Sequence, residues 1–382
     1  MGKQTLIILI ISCFTMLSCC KRKGCTDPLA ANFEEKAKKD DGSCEYTTNG
    51  FTVAKMLEDI GNDIILPRYE AMIEAAENLN NSVAVFTADL TETNLVDVQS
   101  KLKTAELAWQ ECSTFEFGPA EDNSLRTHVN TFPTDTTSIE NKITLGTYDL
   151  SSFLAVGYKG LPAIDYLVNK GLNTEIIQKF QGSANRLTFL KDVVLVFDND
   201  VNVVYNGWAS TGDNYINTFV SSTGSTVSSS LSLLVNQFNF DYELVKQAKV
   251  GIPLGKQTLG VPLPEQCEGY YGEVSSELAQ KSLKGLYDLY LGISEQGEDK
   301  NGLDDYLTSN NASVLSGDIK SRFDLAISAM EDVPDPMAET IINNQSIVDL
   351  AYEEIRKLVV LIKTDMSTEM EVSITYSDGD GD

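Results

Sequence analysis

Histidine is almost missing from this chain of 382 residues: His128 is the only one. That shortage removes the usual neutral-pH base and the commonest metal ligand from nearly the whole sequence. Cations are scarce too, with 29 Lys and Arg against 56 Asp and Glu, a formal net charge of −27. Nucleic-acid binding is excluded on that balance, because phosphate contacts need clustered positive charge. The apolar run near the N-terminus falls short of the roughly 20 residues that a membrane-spanning helix requires. Also absent are a Gly-x-Ser-x-Gly elbow, a Gly-x-x-x-x-Gly-Lys phosphate loop and a His-Glu-x-x-His helix. A Ser-His-Asp triad would have to use His128, and no sequence neighbour supports one. What remains is an acidic chain with 42% hydrophobic residues, enough to pack a large core or two modest ones.

The N-terminus reads as a targeting segment. Lys3 precedes an apolar stretch over residues 6–17, broken by Ser12 and Thr15, which ends at Leu17-Ser18-Cys19-Cys20-Lys21-Arg22-Lys23. Residues 1–19 are therefore expected to be a signal peptide. The junction resembles a bacterial lipobox, with Cys20 or Cys19 as the acylated residue. Cys20 has Leu17 three before it, whereas Cys19 follows the small Ser18. This places the protein in the cell envelope, on the periplasmic or outer-membrane surface of a Gram-negative bacterium, with the membrane as partner through its lipid.

Residues 20–50 form an acidic spacer and linker. Cys25 and Cys44 bracket it, and an exported context lets them pair. Closing that loop would stabilise by roughly 3 kcal/mol in the chain-entropy model. The segment, with Gly24-Cys25-Thr26-Asp27-Pro28 and Asp40-Asp41-Gly42-Ser43-Cys44, resembles a short motif of Bacteroidetes surface proteins. Its aspartates could take calcium, but two bracketing cysteines point to a stapled spacer. Cys112 and Cys267 read as buried thiols.

From Phe51 onward the periodicity is helical. Tyr69, Met72, Ile73, Ala76 and Leu79 share one helix face, and Leu102, Ala105, Trp109 and Cys112 repeat the spacing. Leu187, Leu190, Val194, Phe197, Val201, Val204 and Trp208 are rich in β-branched residues, yet their spacing and length predict a buried helix. Leu231, Leu234, Val235, Phe238 and Val245 give another stripe. Ile347, Leu350, Ala351, Ile355, Leu358, Val359 and Ile362 give the last. Pro67 marks a helix start or kink. Residues 131–138 and 210–230 read as loops, the second as a connection between lobes. The prediction is all-α, a two-lobed helical bundle with lobes at 51–210 and 211–382. The second lobe ends in an acidic tail, Asp378-Gly379-Asp380-Gly381-Asp382, which lacks the glutamate of a calcium loop.

One stretch carries the family signal: Gly160-Leu161-Pro162-Ala163-Ile164-Asp165-Tyr166-Leu167. It resembles the Gly-x-His-x-x-Glu signature of imelysin-like proteins (peptidase family M75), with Pro162 in place of the histidine and Asp165 in place of the glutamate. Supporting motifs follow in order: Ile65-Leu66-Pro67-Arg68-Tyr69, Trp109-Gln110, Phe115-Glu116-Phe117-Gly118-Pro119, Lys246 through Gly255, and Glu268-Gly269-Tyr270-Tyr271. The resemblance implies a two-lobed helical fold, export, and a link to iron uptake or to peptidase activity. It marks Gly160, Pro162, Asp165, Lys249, Glu268 and Tyr271 as ligand-binding candidates.

A histidine and a carboxylate three apart share a helix face and can hold a metal, but proline has no lone pair to give. Asp165 alone offers too few donors for most metals, so iron or calcium is the only cofactor to consider and no catalytic residue is assigned. Pro162 suits the first turn of a helix, where its missing N–H costs nothing. Lys246 and Lys249 fit either a solvated helix end or a surface facing an anion. Tyr270 and Tyr271, next to Glu268, fit a pocket wall or, the better reading, aromatic core packing, and His128 reads as polar surface. The expected function is a lipid-anchored, non-catalytic envelope binding protein tied to metal uptake. An M75-type peptidase with a relocated site and a scaffold for an envelope protein partner are the alternatives.

Overall fold

The computed structural model describes residues 22–24, 36–39, 51–224 and 226–376. Cys19, Cys20, Cys25, Cys44 and the acidic tail lie outside the described residues. In the N-terminal unit, Lys23 and Lys39 form an isolated parallel bridge. Residues 51–382 make up a separate compact unit. No strand forms among the described residues of that unit, as the missing period-2 alternation predicts.

Eight long helices organise it: α1 (Leu66–Ala88), α2 (Glu92–Cys112), α3 (Gly160–Asn169), α4 (Ala184–Trp208), α5 (Ser230–Leu244), α6 (Ser275–Leu291), α7 (Ser313–Glu331) and α8 (Gln345–Val360). Several begin at side-chain caps that satisfy otherwise orphaned N–H groups. Thr91 accepts from Asn94 at the start of α2, Ser183 from Arg186 at α4, and Ser229 from Ser232 at α5. Pro67 stands in the first turn of α1, just after the π-helical turn Ile60–Ile65. Two further π-helical turns, Val245–Gly251 and Leu361–Met366, extend α5 and α8.

Helix α1 packs against α2 and α4, and α3 closes against the same two helices. Helix α7 packs on both α6 and α8, and α6 in turn lies on α2, so one apolar core runs through the unit. Trp208 at the end of α4 sits among Tyr69, Phe117, Tyr215 and Phe219. Arg68, only 2% exposed, ties α1 to α6 by donating Nη1 to Gly285 O at 3.1 Å and pairing Nε with Glu295 at 3.0 Å. A cation so buried needs such partners.

The stretch 210–230 differs from the expected plain loop, because Ile216 and Phe219 bury themselves on a short helix, Tyr215–Ser221. The loop at 131–138 is likewise shorter, since Asp135 caps a helix that starts at Thr136. Leu350 belongs to the last apolar stripe by spacing but is 66% exposed.

Candidate functional site

Helix α3 begins at Gly160, whose φ of +75° lies in the left-handed region. A Cβ there would stand 2.3 Å from Val129 O and 2.6 Å from His128 O, so only glycine lets the helix start against that backbone. The first turn then carries Pro162 and the second Asp165, both buried.

Asp165 is held on both oxygens by the protein itself. Asn169 donates Nδ2 to Oδ1 at 2.9 Å, and the backbone N–H of Tyr271 donates to Oδ2 at 3.1 Å. Burial pushes the Asp165 carboxyl up to about 6, against the pull of those hydrogen bonds. Pro162, Asp165, Tyr270 and Tyr271 line a gap with Phe132 of only about 20 Å³. That is space for one or two waters and nothing larger.

Beside it lies a buried polar cluster drawn from five parts of the chain. Lys249, on the π-helical turn Val245–Gly251, donates Nζ to Gln110 Oε1 at 2.6 Å and forms an ion pair with Glu268. Gln110 on α2 donates Nε2 to Glu268 Oε1 at 3.0 Å. Asn130 donates Nδ2 to the same oxygen at 2.7 Å, and Ser282 on α6 donates Oγ to Gln110 Oε1 at 2.8 Å. Every one of these contacts answers a group that burial would otherwise penalise. Glu106, one turn before Gln110, feels the charges of both Asp165 and Glu268. Burial first, and those two carboxylates second, raise its pKa well above the usual range.

A larger cavity of about 270 Å³ opens on another side of Phe132. Trp109, Arg126, Asn130, Leu244, Ala248 and Lys249 are among its walls. Asp241, also at the wall, accepts from Ser113 Oγ and Thr114 Oγ1 at 2.9 Å each.

These positions do not fit a metal ion. Pro162 brings no donor, both Asp165 oxygens are engaged, and the Lys249 ammonium already neutralises Glu268. Among the described residues, no group of three or more His, Cys, Asp or Glu side chains is arranged to hold one. The motif offers one carboxylate, already hydrogen-bonded, and no histidine, a donor set too small for iron or calcium.

Three sequence expectations change. Lys246 and Lys249 are neither solvated nor presented to bulk solvent; each is 5% exposed, and Lys246 pairs with Glu243 at 2.6 Å. Their helix is covered because the turn lies against α6 and α8. Tyr270 and Tyr271 both line the small gap; Tyr270 is exposed, while Tyr271 also packs against the core, edge-on to Tyr166 at 5.3 Å. His128 is not isolated: its Nδ1 lies 3.5 Å from Asp200, brought over by α4. Burial and the nearby Lys159 lower the His128 pKa, against the pull of Asp200. Cys112 and Cys267 are buried free thiols, as expected.

The sequence reading missed Glu106, Asn130, Arg126, Asp241 and Ser282 as site residues. For Glu106 a signal existed. It falls four after Leu102 and three before Trp109, on the apolar stripe itself.

An all-helical unit with a glycine-started helix over buried carboxylates defines the class, and comparison gives the family. The imelysin model (peptidase M75) matches residues 65–363, and the chain belongs to that family. Two solved structures share the fold. One is a candidate iron-regulated protein A precursor from Parabacteroides distasonis ATCC 8503, 17% identical, with TM-score 0.70 over 83% of this chain and 95% of that one. The other is an imelysin-like protein from Psychrobacter arcticum 273-4, 14% identical, with TM-score 0.69 over 85% and 98%. No curated protein matches the chain.

Proposed function

We propose that this protein is a lipid-anchored binding protein of the cell envelope, non-catalytic at its altered motif. It works alongside iron uptake without holding iron at that motif. The observation that carries the reading is the state of the two carboxylates at the site. Asp165 and Glu268 are both answered by the chain's own donors, Asn169 and Tyr271 N–H for one and Lys249, Gln110 and Asn130 for the other. A metal or a general base at this motif would draw on the histidine that Pro162 replaces, and the two carboxylates that remain are already hydrogen-bonded within the chain. The Leu17-Ser18-Cys19-Cys20 junction supports the anchor. The iron connection draws on the name carried by the Parabacteroides distasonis protein.

Two assays test this. Radiolabelled palmitate should enter the wild-type protein in its host and be lost when Cys19 and Cys20 are both replaced. Hydrolysis of denatured casein should be equally negligible for wild type and Asp165→Ala. Activity in the wild type that disappears in the variant would favour an M75-type peptidase instead.

A further inference from the structure

We infer that the 270 Å³ cavity beside Phe132 is a binding site for a neutral, apolar molecule the size of a fused bicycle with a short chain. The inference rests on the binding-protein reading above and names its ligand class. Size sets the scale. An apolar cavity of roughly 150 Å³ takes a benzene ring, so the larger space here suits a two-ring body.

The side chains that face this space bring carbon to it. Trp109, on α2, is buried, while Phe132, Leu244 and Ala248 are half-buried and leave apolar surface in the concavity. Leu244 ends α5, and Ala248 stands on the π-helical turn that extends it, so regular elements hold most of the apolar wall. A concave wall of that kind, with few polar atoms offered, is the usual form of a small-molecule site.

The polar groups of the wall are spent on one another or on groups behind it. Asp241 accepts from Ser113 Oγ and Thr114 Oγ1, and its other oxygen lies 3.8 Å from Arg126 Nη2. Arg126 also donates Nη2 to Ser113 O at 2.6 Å and lays its guanidinium over Phe240, 4.9 Å from the ring centroid. The Arg126 Nε is itself buried and offers the cavity nothing. Lys249 is taken up by Gln110 and Glu268, Asn130 Nδ2 by Glu268, and Thr131 Oγ1 by Thr127 O. Each cation of the wall thus already has its carboxylate, Asp241 for Arg126 and Glu268 for Lys249. An ion entering the cavity would shed its water and gain no counter-charge, whereas a neutral apolar molecule loses little hydration and covers the half-buried carbon.

The test titrates the full chain calorimetrically with one bicycle in three charge states: neutral 3-propylindole and its near-isosteres tryptamine, a cation, and indole-3-acetate, an anion. The neutral probe should bind one to one and raise the melting temperature. Both ions should bind at least about tenfold more weakly, since their desolvation is uncompensated. Ala248→Phe puts a ring into the cavity and should weaken 3-propylindole by at least about tenfold while melting close to wild type. Should that variant fail to fold, the ranking of the three probes by the wild type decides. Binding of either ion as tight as that of 3-propylindole would overturn the neutral assignment. Unchanged binding by a normally folded Ala248→Phe would overturn the site. No binding of any probe by a normally melting protein would overturn the inference as a whole, whereas the palmitate and casein assays judge the broader reading separately.

Discussion

Lys249 and Glu268, nineteen residues apart in the chain, form an ion pair in which both side chains are less than a tenth exposed. The ammonium occupies the place beside the carboxylate that a bound cation would need. Taking one member away strands the other charge in the interior, which costs about 3–5 kcal/mol. Lys249→Met should therefore lower folding stability by that amount in urea unfolding. The Lys249→Met/Glu268→Met double variant should lose at least about 1 kcal/mol less than the two single losses summed. Strict additivity would show that the pair is not coupled.

Gly160→Ala should destabilise by about 2 kcal/mol or more, combining a strained backbone with a collision. The φ of +75° disfavours any side chain, and the new Cβ would meet Val129 O at 2.3 Å. Urea midpoints within experimental error of wild type would refute this account of the helix start.

Asp165 should give the fold a recognisable pH dependence. Its folded pKa is raised to about 6, so the stability it contributes is fully present below the unfolded value and lost as pH rises through 6. Asp165→Asn removes that titration, though it also weakens the contact to Tyr271 N–H by a roughly constant amount. The stability of the variant relative to wild type should improve between pH 4 and pH 7.5. A difference that stays flat across that range would contradict the raised pKa.

Restoring the family histidine should not restore a metal site. Pro162→His would place an imidazole three residues before Asp165, but both Asp165 oxygens already accept hydrogen bonds. Calorimetry with ferrous iron and with calcium is expected to show no binding to this variant. Stoichiometric binding would mean that Asn169 and Tyr271 yield their bonds readily.

The all-helical class and the family were legible in the sequence, for identifiable reasons. Burying one face of a helix imposes a 3.6-residue period that survives in the chain, as in the stripe from Leu190 to Trp208 on α4. The loss of the motif histidine is likewise a local fact, since no fold can give Pro162 a ligand atom. The site was legible only in outline. Lys249 and Glu268 could be named from motif positions, but whether they faced solvent or each other depended on elements far away in sequence. Leu350 shows the opposite error, a residue with the right spacing and no neighbour to cover it.

Sequence by itself determined the helices, their glycine and proline punctuation, and the absence of histidine chemistry, because each follows from short-range sterics or residue type. Tertiary structure alone decided the partners: that Gln110 would meet both Lys249 and Glu268, with Asn130 on Glu268 and Ser282 on Gln110, that Asp200 would reach His128, and that a cavity would open beside Trp109. Hydrogen bonds and ion pairs are made across space between segments that periodicity does not relate. Their identity is fixed only when the packing of α2, α3, α5 and α6 brings those segments together.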